Sequence, residues 1–302
     1  MHIPDGFLST PVWATLDAAA APAVAYMARR AQRDFDDAKI PLLGVMGAFV
    51  FAAQMINFPV GVGTSAHLLG GALLAYTLGP AAASVAMAAI LAIQALIFQD
   101  GGILALGPNT LNMAVIGVLA AYLPFHLWGA GRWRRAAIFA GGVLSALVSA
   151  VLAVAELLIS GVSISTSILG VSLTLFLVAA ALEGAITLTV IEALERIQPN
   201  FVRQPREGRS FALGAAALAA IVLATIGVLF ASAAPDGIEK LGAQTGIAAR
   251  ARALITTPFT DYQAAFLPSG WGRKAAAGLA GLAVVFAVSL AAGRAVARKR
   301  KP

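Results

Sequence analysis

Nine stretches of this chain, each 15 to 26 residues long, run almost without charge: 11–28, 40–57, 65–79, 81–98, 107–127, 136–159, 168–193, 211–232 and 275–293. A helix needs about 20 mostly apolar residues to cross a bilayer, and fewer where protein surrounds it. The pattern therefore predicts nine membrane helices. Soluble domains carry roughly 25% charged residues; here 12% of 302 residues are charged and 60% are hydrophobic, too little polar surface to coat a globule. Disorder is excluded by the same figures. No stretch alternates as the strands of an outer-membrane barrel do. The fold class is an all-α polytopic membrane protein, seven spans followed by two more around a long outer loop.

The positions of the 21 Lys and Arg set the orientation. Cytoplasmic loops carry an excess of both. Sixteen of them fall in Arg29–Lys39, Arg132–Arg135, Arg196–Arg209 and Arg294–Lys301, which nine helices bring to one face. The loops 58–64, 99–106 and 160–167 and the first eleven residues carry none. The expectation is a multi-pass protein of the plasma (inner) membrane, N-terminus outside and C-terminus cytoplasmic. A net charge of +7 then reflects basic inner loops, and nucleic acid is not expected as a partner. The polar run 195–210 divides the chain into a first part, 1–194, and a second, 211–302, with an outer loop at 233–274.

The opening MHIPDGFLSTP has no positive region and no small-residue cleavage site, so it does not read as a signal peptide. An uncleaved start delivered to the outer face puts a free amine beside His2. Amine and amide nitrogens close a five-membered ring on a metal ion, and amide and imidazole Nδ1 close a six-membered one. Three nitrogens then lie in a plane with one position open. Of the three histidines, His126 lies at the inner interface, whereas His67 shares the outer side with His2. His67 can fill the open position, or serve as a hydrogen-bonded packing histidine. Planar nitrogen coordination suits Ni(II) or Cu(II) rather than Zn(II), Mg(II) or Ca(II), and availability decides against copper's greater affinity. Metal-bound imidazoles commonly lean on a carboxylate or carbonyl. Asp5, Asn57, Asp100, Asn109 and Asn112 lie near the outer face, and Asn109 and Asp5 rank first among them. With no Cys, a thiolate site is excluded.

MHIPDGFLS (1–9), GTSAHLLGG (63–71) and GGILALGPNTLNMAVIG (101–117) together resemble the substrate-capture (M) component of the nickel/cobalt energy-coupling factor (ECF) transporters. PDGIEKL (235–241), DYQAAF and the last span resemble the small two-helix accessory component, the PDGLE-type N component. The chain is thus similar to a fusion of the two. The resemblance implies Ni(II) or Co(II) as transported substrate, held by the amine and amide of Met1-His2, the His2 side chain and His67. It implies a transmembrane coupling protein and cytoplasmic ATPase subunits as partners. Pro108 departs from the family, which has a small residue there. No G-x-x-x-x-G-K-[ST] phosphate loop occurs in the chain, so the expectation is a transporter component and not an enzyme.

Two other readings compete. Glu156 and Glu183 lie within spans, where acids are costly and often functional; they fit a secondary, proton-coupled metal ion transporter, although no inverted repeat is visible. An intramembrane protease lacks both H-E-x-x-H and G-x-S-x-G.

Overall fold

A computed structural model describes residues 1–61, 63–199, 201–202, 211–268 and 270–297, the side chain of Asp34 excepted. Positions 203–210 of the inner linker and Arg298–Lys301 of the last basic cluster lie outside the described residues. The first part is built from α1 (Thr10–Asp34), α2 (Ile40–Gln54), α3 (Gly71–Leu78), α4 (Pro80–Ile93), α5 (Leu106–Asn109) running on into α6 (Gly117–Trp128), α7 (Arg134–Ile159) and α8 (Thr166–Ile197). The second part adds α9 (Phe211–Thr225), the short α10 (Gly237–Thr245) and α11 (Gly270–Val296).

Seven helices among the described residues are long and apolar enough to cross a membrane. The first and third of the nine expected spans are not among them. Helix α1 has the length, 25 residues, but Asp17 and Pro22 interrupt its apolar run and Arg29, Arg30 and Arg33 close it. The stretch 65–79 is not one helix at all. The chain pairs Phe58–Gly61 with Thr64–Ala66 as a small antiparallel hairpin, runs irregularly through His67, and becomes helical only at Gly71. The break has a local cause. Gly70 takes a left-handed φ of 76°, and a Cβ there would stand 2.5 Å from Cγ1 of Val50, so the chain turns where only glycine fits.

Small residues set the helix spacing. A Cβ on Gly142 of α7 would lie 2.7 Å from the Cα of Gly184 on α8, a close approach of the kind that packs helices in lipid. The second part docks on the first in the same way: α11 lies along α2, with Leu290 and Ser289 filling the space over Gly44 and Gly47.

The basic helix ends gather at one end of the bundle. Gln32 of α1 reaches the carbonyl of Ala295 in α11, and Arg134 at the start of α7 pairs with Glu195 at the end of α8 at 2.8 Å. The start of the chain lies at the opposite end.

Candidate metal-capture site

The first residues are threaded into the protein rather than left on its surface: Met1, His2, Ile3 and Asp5 are all at most 6% exposed. Their main chain is pinned to the segment between α4 and α6. Asn109 accepts from the Ile3 N–H (2.9 Å) and donates to the Ile3 carbonyl (3.1 Å). Gly102 donates to that same carbonyl at 2.8 Å. The Asp5 carboxylate accepts from the N–H groups of Ile103 and Leu104. Two wide π turns, Gln94–Phe98 and Thr110–Ile116, flank this segment; such turns recur at functional sites.

This grip sets the amine of Met1 2.6 Å from Nε2 of His67 and 2.8 Å from Oδ2 of Asp236. Nδ1 of His67 donates to the Leu68 carbonyl at 3.0 Å, which fixes the tautomer and leaves the Nε2 lone pair facing the amine. The His2 ring stacks on that of His67, centroids 5.1 Å apart and planes 11° apart. His2 Nδ1 lies 3.0 Å from Oδ1 of Asp100, off the angle of a hydrogen bond, and Nε2 has no partner among the described residues. Met1, His2 and His67 therefore come together. Among the described residues no three His, Cys, Asp or Glu side chains form a metal cage, so an ion held here needs the main-chain nitrogens as well.

Asp5 and Asn109, the two residues expected to back the ligands, spend their hydrogen bonds on main-chain groups that hold the chain start, not on either imidazole. The residue that faces His2 is Asp100, which sequence reasoning ranked below them. It is supported from the second part, since the Tyr262 hydroxyl donates to its Oδ2 at 2.6 Å, Gln94 donates to that hydroxyl at 3.1 Å, and the Tyr262 ring stacks on Phe98. Asp236 was not foreseen as a site residue. It also begins α10, accepting from the N–H groups of Ile238 and Glu239 while Glu239 accepts from its own N–H. Its D-x-x-E spacing is a helix-start signal, and nothing in that spacing points to an amine more than two hundred positions away.

Electrostatics follow from this crowding. Burial pushes the Asp100 carboxyl up, but the facing His2 and the Tyr262 hydroxyl outweigh it and hold it well below the carboxylate range. Asp236 is likewise pushed up by burial and pulled lower overall, by the amine and His67. Tyr262 is raised by burial and by Asp100. Over the rings lies a cavity of about 420 Å³, lined from both parts by His2, His67, Asp100, Asp236, Glu239 and Lys274. The acids of the proton-coupled alternative have other partners: Glu183 accepts from the N–H groups of Leu69 and Gly70, and Glu156 accepts from Asn112.

The fold and this chamber define a multi-pass α-helical membrane protein that closes a polar site around its own first residues. The chain belongs to the family of cobalt uptake substrate-specific transmembrane regions, whose model matches residues 2–201; a PDGLE domain matches residues 210–298. A fused nickel transport protein of Rhodobacter capsulatus is 32% identical, with 99% of each chain covered. A putative metal transport protein of Haloquadratum walsbyi is 38% identical over 67% of this chain and 93% of its own. The crystal structure of a truncated transition metal transporter matches with a TM-score of 0.57 and 34% identity, over 65% of this chain and 99% of that one. The chain is a transport component of this family, an M component fused to a PDGLE-type N component.

Proposed function

We propose that the chain captures Ni(II) or Co(II) at its outer face with four nitrogens: the amine of Met1, the amide and Nδ1 of His2, and Nε2 of His67. The observation that carries this reading is the 2.6 Å between the amine and His67 Nε2. Metal–nitrogen bonds of about 2 Å put two neighbouring ligands of a planar ion about 2.8 Å apart, so the pair is already spaced to share one. Relatives named as nickel and cobalt transport proteins support both substrates, and the planar nitrogen set favours nickel.

In the structure Asp236 holds the amine and Asp100 faces His2 Nδ1. An arriving cation takes those nitrogens over and expels the amine and amide protons. The two carboxylates stay close by and offset its charge. Orientation follows the basic clusters: N-terminus outside, C-terminus cytoplasmic. The capture domain is 1–194, the linker 195–210 and the accessory domain 211–302. A transmembrane coupling protein and cytoplasmic ATPase subunits of an ECF-type transporter supply the energy that this chain, as a non-enzymatic component, does not.

Nickel titration of the purified full chain, before and after acetylation of the Met1 amine, tests the reading. Acetylation is expected to abolish tight binding, as is one extra residue ahead of Met1. Unchanged affinity in the blocked protein overturns the ligand set.

A further inference from the structure

Glu183 sits within α8 at 1% exposure, and capture as described makes no use of it. Both of its carboxylate oxygens are spent on one short segment: Oε2 accepts from the Leu69 N–H at 2.7 Å and Oε1 from the Gly70 N–H at 2.9 Å. From the other side Gln54 of α2 donates to the Leu69 carbonyl at 2.7 Å, and Gln54 is itself held by Gln94 at 2.9 Å. The segment is the irregular stretch that separates the hairpin from α3. A helix would satisfy those groups internally; here they would be orphans in an apolar interior. An acid is a costly residue to place there, and both of its hydrogen bonds to the main chain fall within three positions of His67.

We propose that Glu183, assisted by Gln54, is a positioning residue for His67, fixing the fourth nitrogen relative to the amine and thereby setting the preference for planar over tetrahedral cations. The inference rests on the four-nitrogen reading. Zn(II) favours a tetrahedral set, which a swinging fourth donor would allow and a clamped one resists. Ni(II) accepts the planar arrangement that the Met1-His2 nitrogens impose.

The test is competitive titration of the purified full chain with Ni(II) and Zn(II), together with the visible absorption band of the nickel complex. Glu183→Ala is expected to weaken nickel binding at least about tenfold, to lower the nickel-to-zinc affinity ratio, and to shift the nickel band, with an unfolding temperature lowered by the two N–H groups it orphans. Glu183→Gln, which keeps one acceptor oxygen, is expected to fall between the two. Gln54→Leu, which frees the opposite side of Leu69, is expected to change the ratio in the same direction. Parent-like affinity, ratio and band in Glu183→Ala overturn the proposal. If that variant does not fold, parent-like values in both Glu183→Gln and Gln54→Leu overturn it. The acetylated parent separates the two levels of the argument. If it binds normally, the ligand set fails and the positioning role falls with it; if it does not bind while Glu183→Ala matches the parent, the positioning role alone fails.

Discussion

The amine of Met1 and Nε2 of His67 lie 2.6 Å apart across 66 positions of sequence. Neither residue reaches the other unaided. Asn109 and Asp5 fasten the chain start to the segment between α4 and α6, and the irregular stretch before α3 brings His67 up from the opposite side. The contact is the meeting point of two separately anchored pieces of backbone, and its chemistry can be tested by loosening either one.

Replacing His67 with Ala removes one nitrogen of the proposed four and leaves the amine, the His2 amide and Nδ1 in place. Nickel affinity is expected to fall at least about a hundredfold, beyond the range seen when only a supporting residue is changed. The unfolding temperature is expected to move by only a few degrees, because the ring packs mainly against His2. A titration matching the parent assigns His67 to packing alone.

Asn109→Ala acts on the other anchor. Asn109 serves both main-chain polar groups of Ile3, and its loss leaves the N–H of a fully buried residue without its acceptor. That costs about 1–3 kcal/mol, while the carbonyl retains Gly102 as donor. Faster amide hydrogen exchange over residues 2–8 and roughly tenfold weaker nickel binding are expected. Asn109→Asp, which keeps the acceptor for the Ile3 N–H and gives up the donor, is expected to do less damage to exchange at Ile3. Equal exchange in Asn109→Ala and the parent removes the pin from the argument.

Deleting 211–302 takes away Asp236 and Tyr262 but none of the four nitrogens. Equilibrium nickel binding is expected to survive in the truncated protein, whereas uptake in cells carrying the rest of the transporter is expected to fall. Loss of all binding on deletion places ligands in the second part.

These residues also mark where sequence reading stops. The long apolar spans, and the adjacency of an amine and an imidazole at Met1 and His2, are local features carried by neighbouring residues, and were legible. The break at His67–Gly70 was hidden because an apolar, Gly-rich run looks the same whether it is one helix or a turn leading into a short one; only the partners of Leu69 and Gly70, on α2 and α8, separate the two. Asp5 ranked above Asp100, the one that faces His2; both stand in turn sequences, and nothing local tells which of them the ring meets after folding. Asp236 was legible as a helix start and not as the partner of the amine, a relation that exists only once α11 has laid the second part along α2.

Acid acts on this site in two separate windows. Asp236 is raised by burial and pulled lower overall by the amine and His67, and Asp100 is raised by burial and pulled lower overall by His2 and Tyr262. A group whose folded value is depressed contributes stability above its unfolded value, about 3.9 for Asp, and loses it as the pH falls through the folded value. The contacts that dock the outer segment on the site are therefore expected to persist from about pH 8 to about pH 5 and to weaken only below about pH 4. Metal capture is different, because the amine and amide must give up protons to bind the ion, and proton competition grows throughout the neutral-to-acid range. Nickel titrations across that range, run beside limited proteolysis of 233–274 in the metal-free protein, separate the two. Affinity is expected to fall steadily with pH while the proteolysis rate stays flat. If protection and affinity decline together, capture depends on carboxylate docking, and the nitrogen ligands do not set its pH dependence.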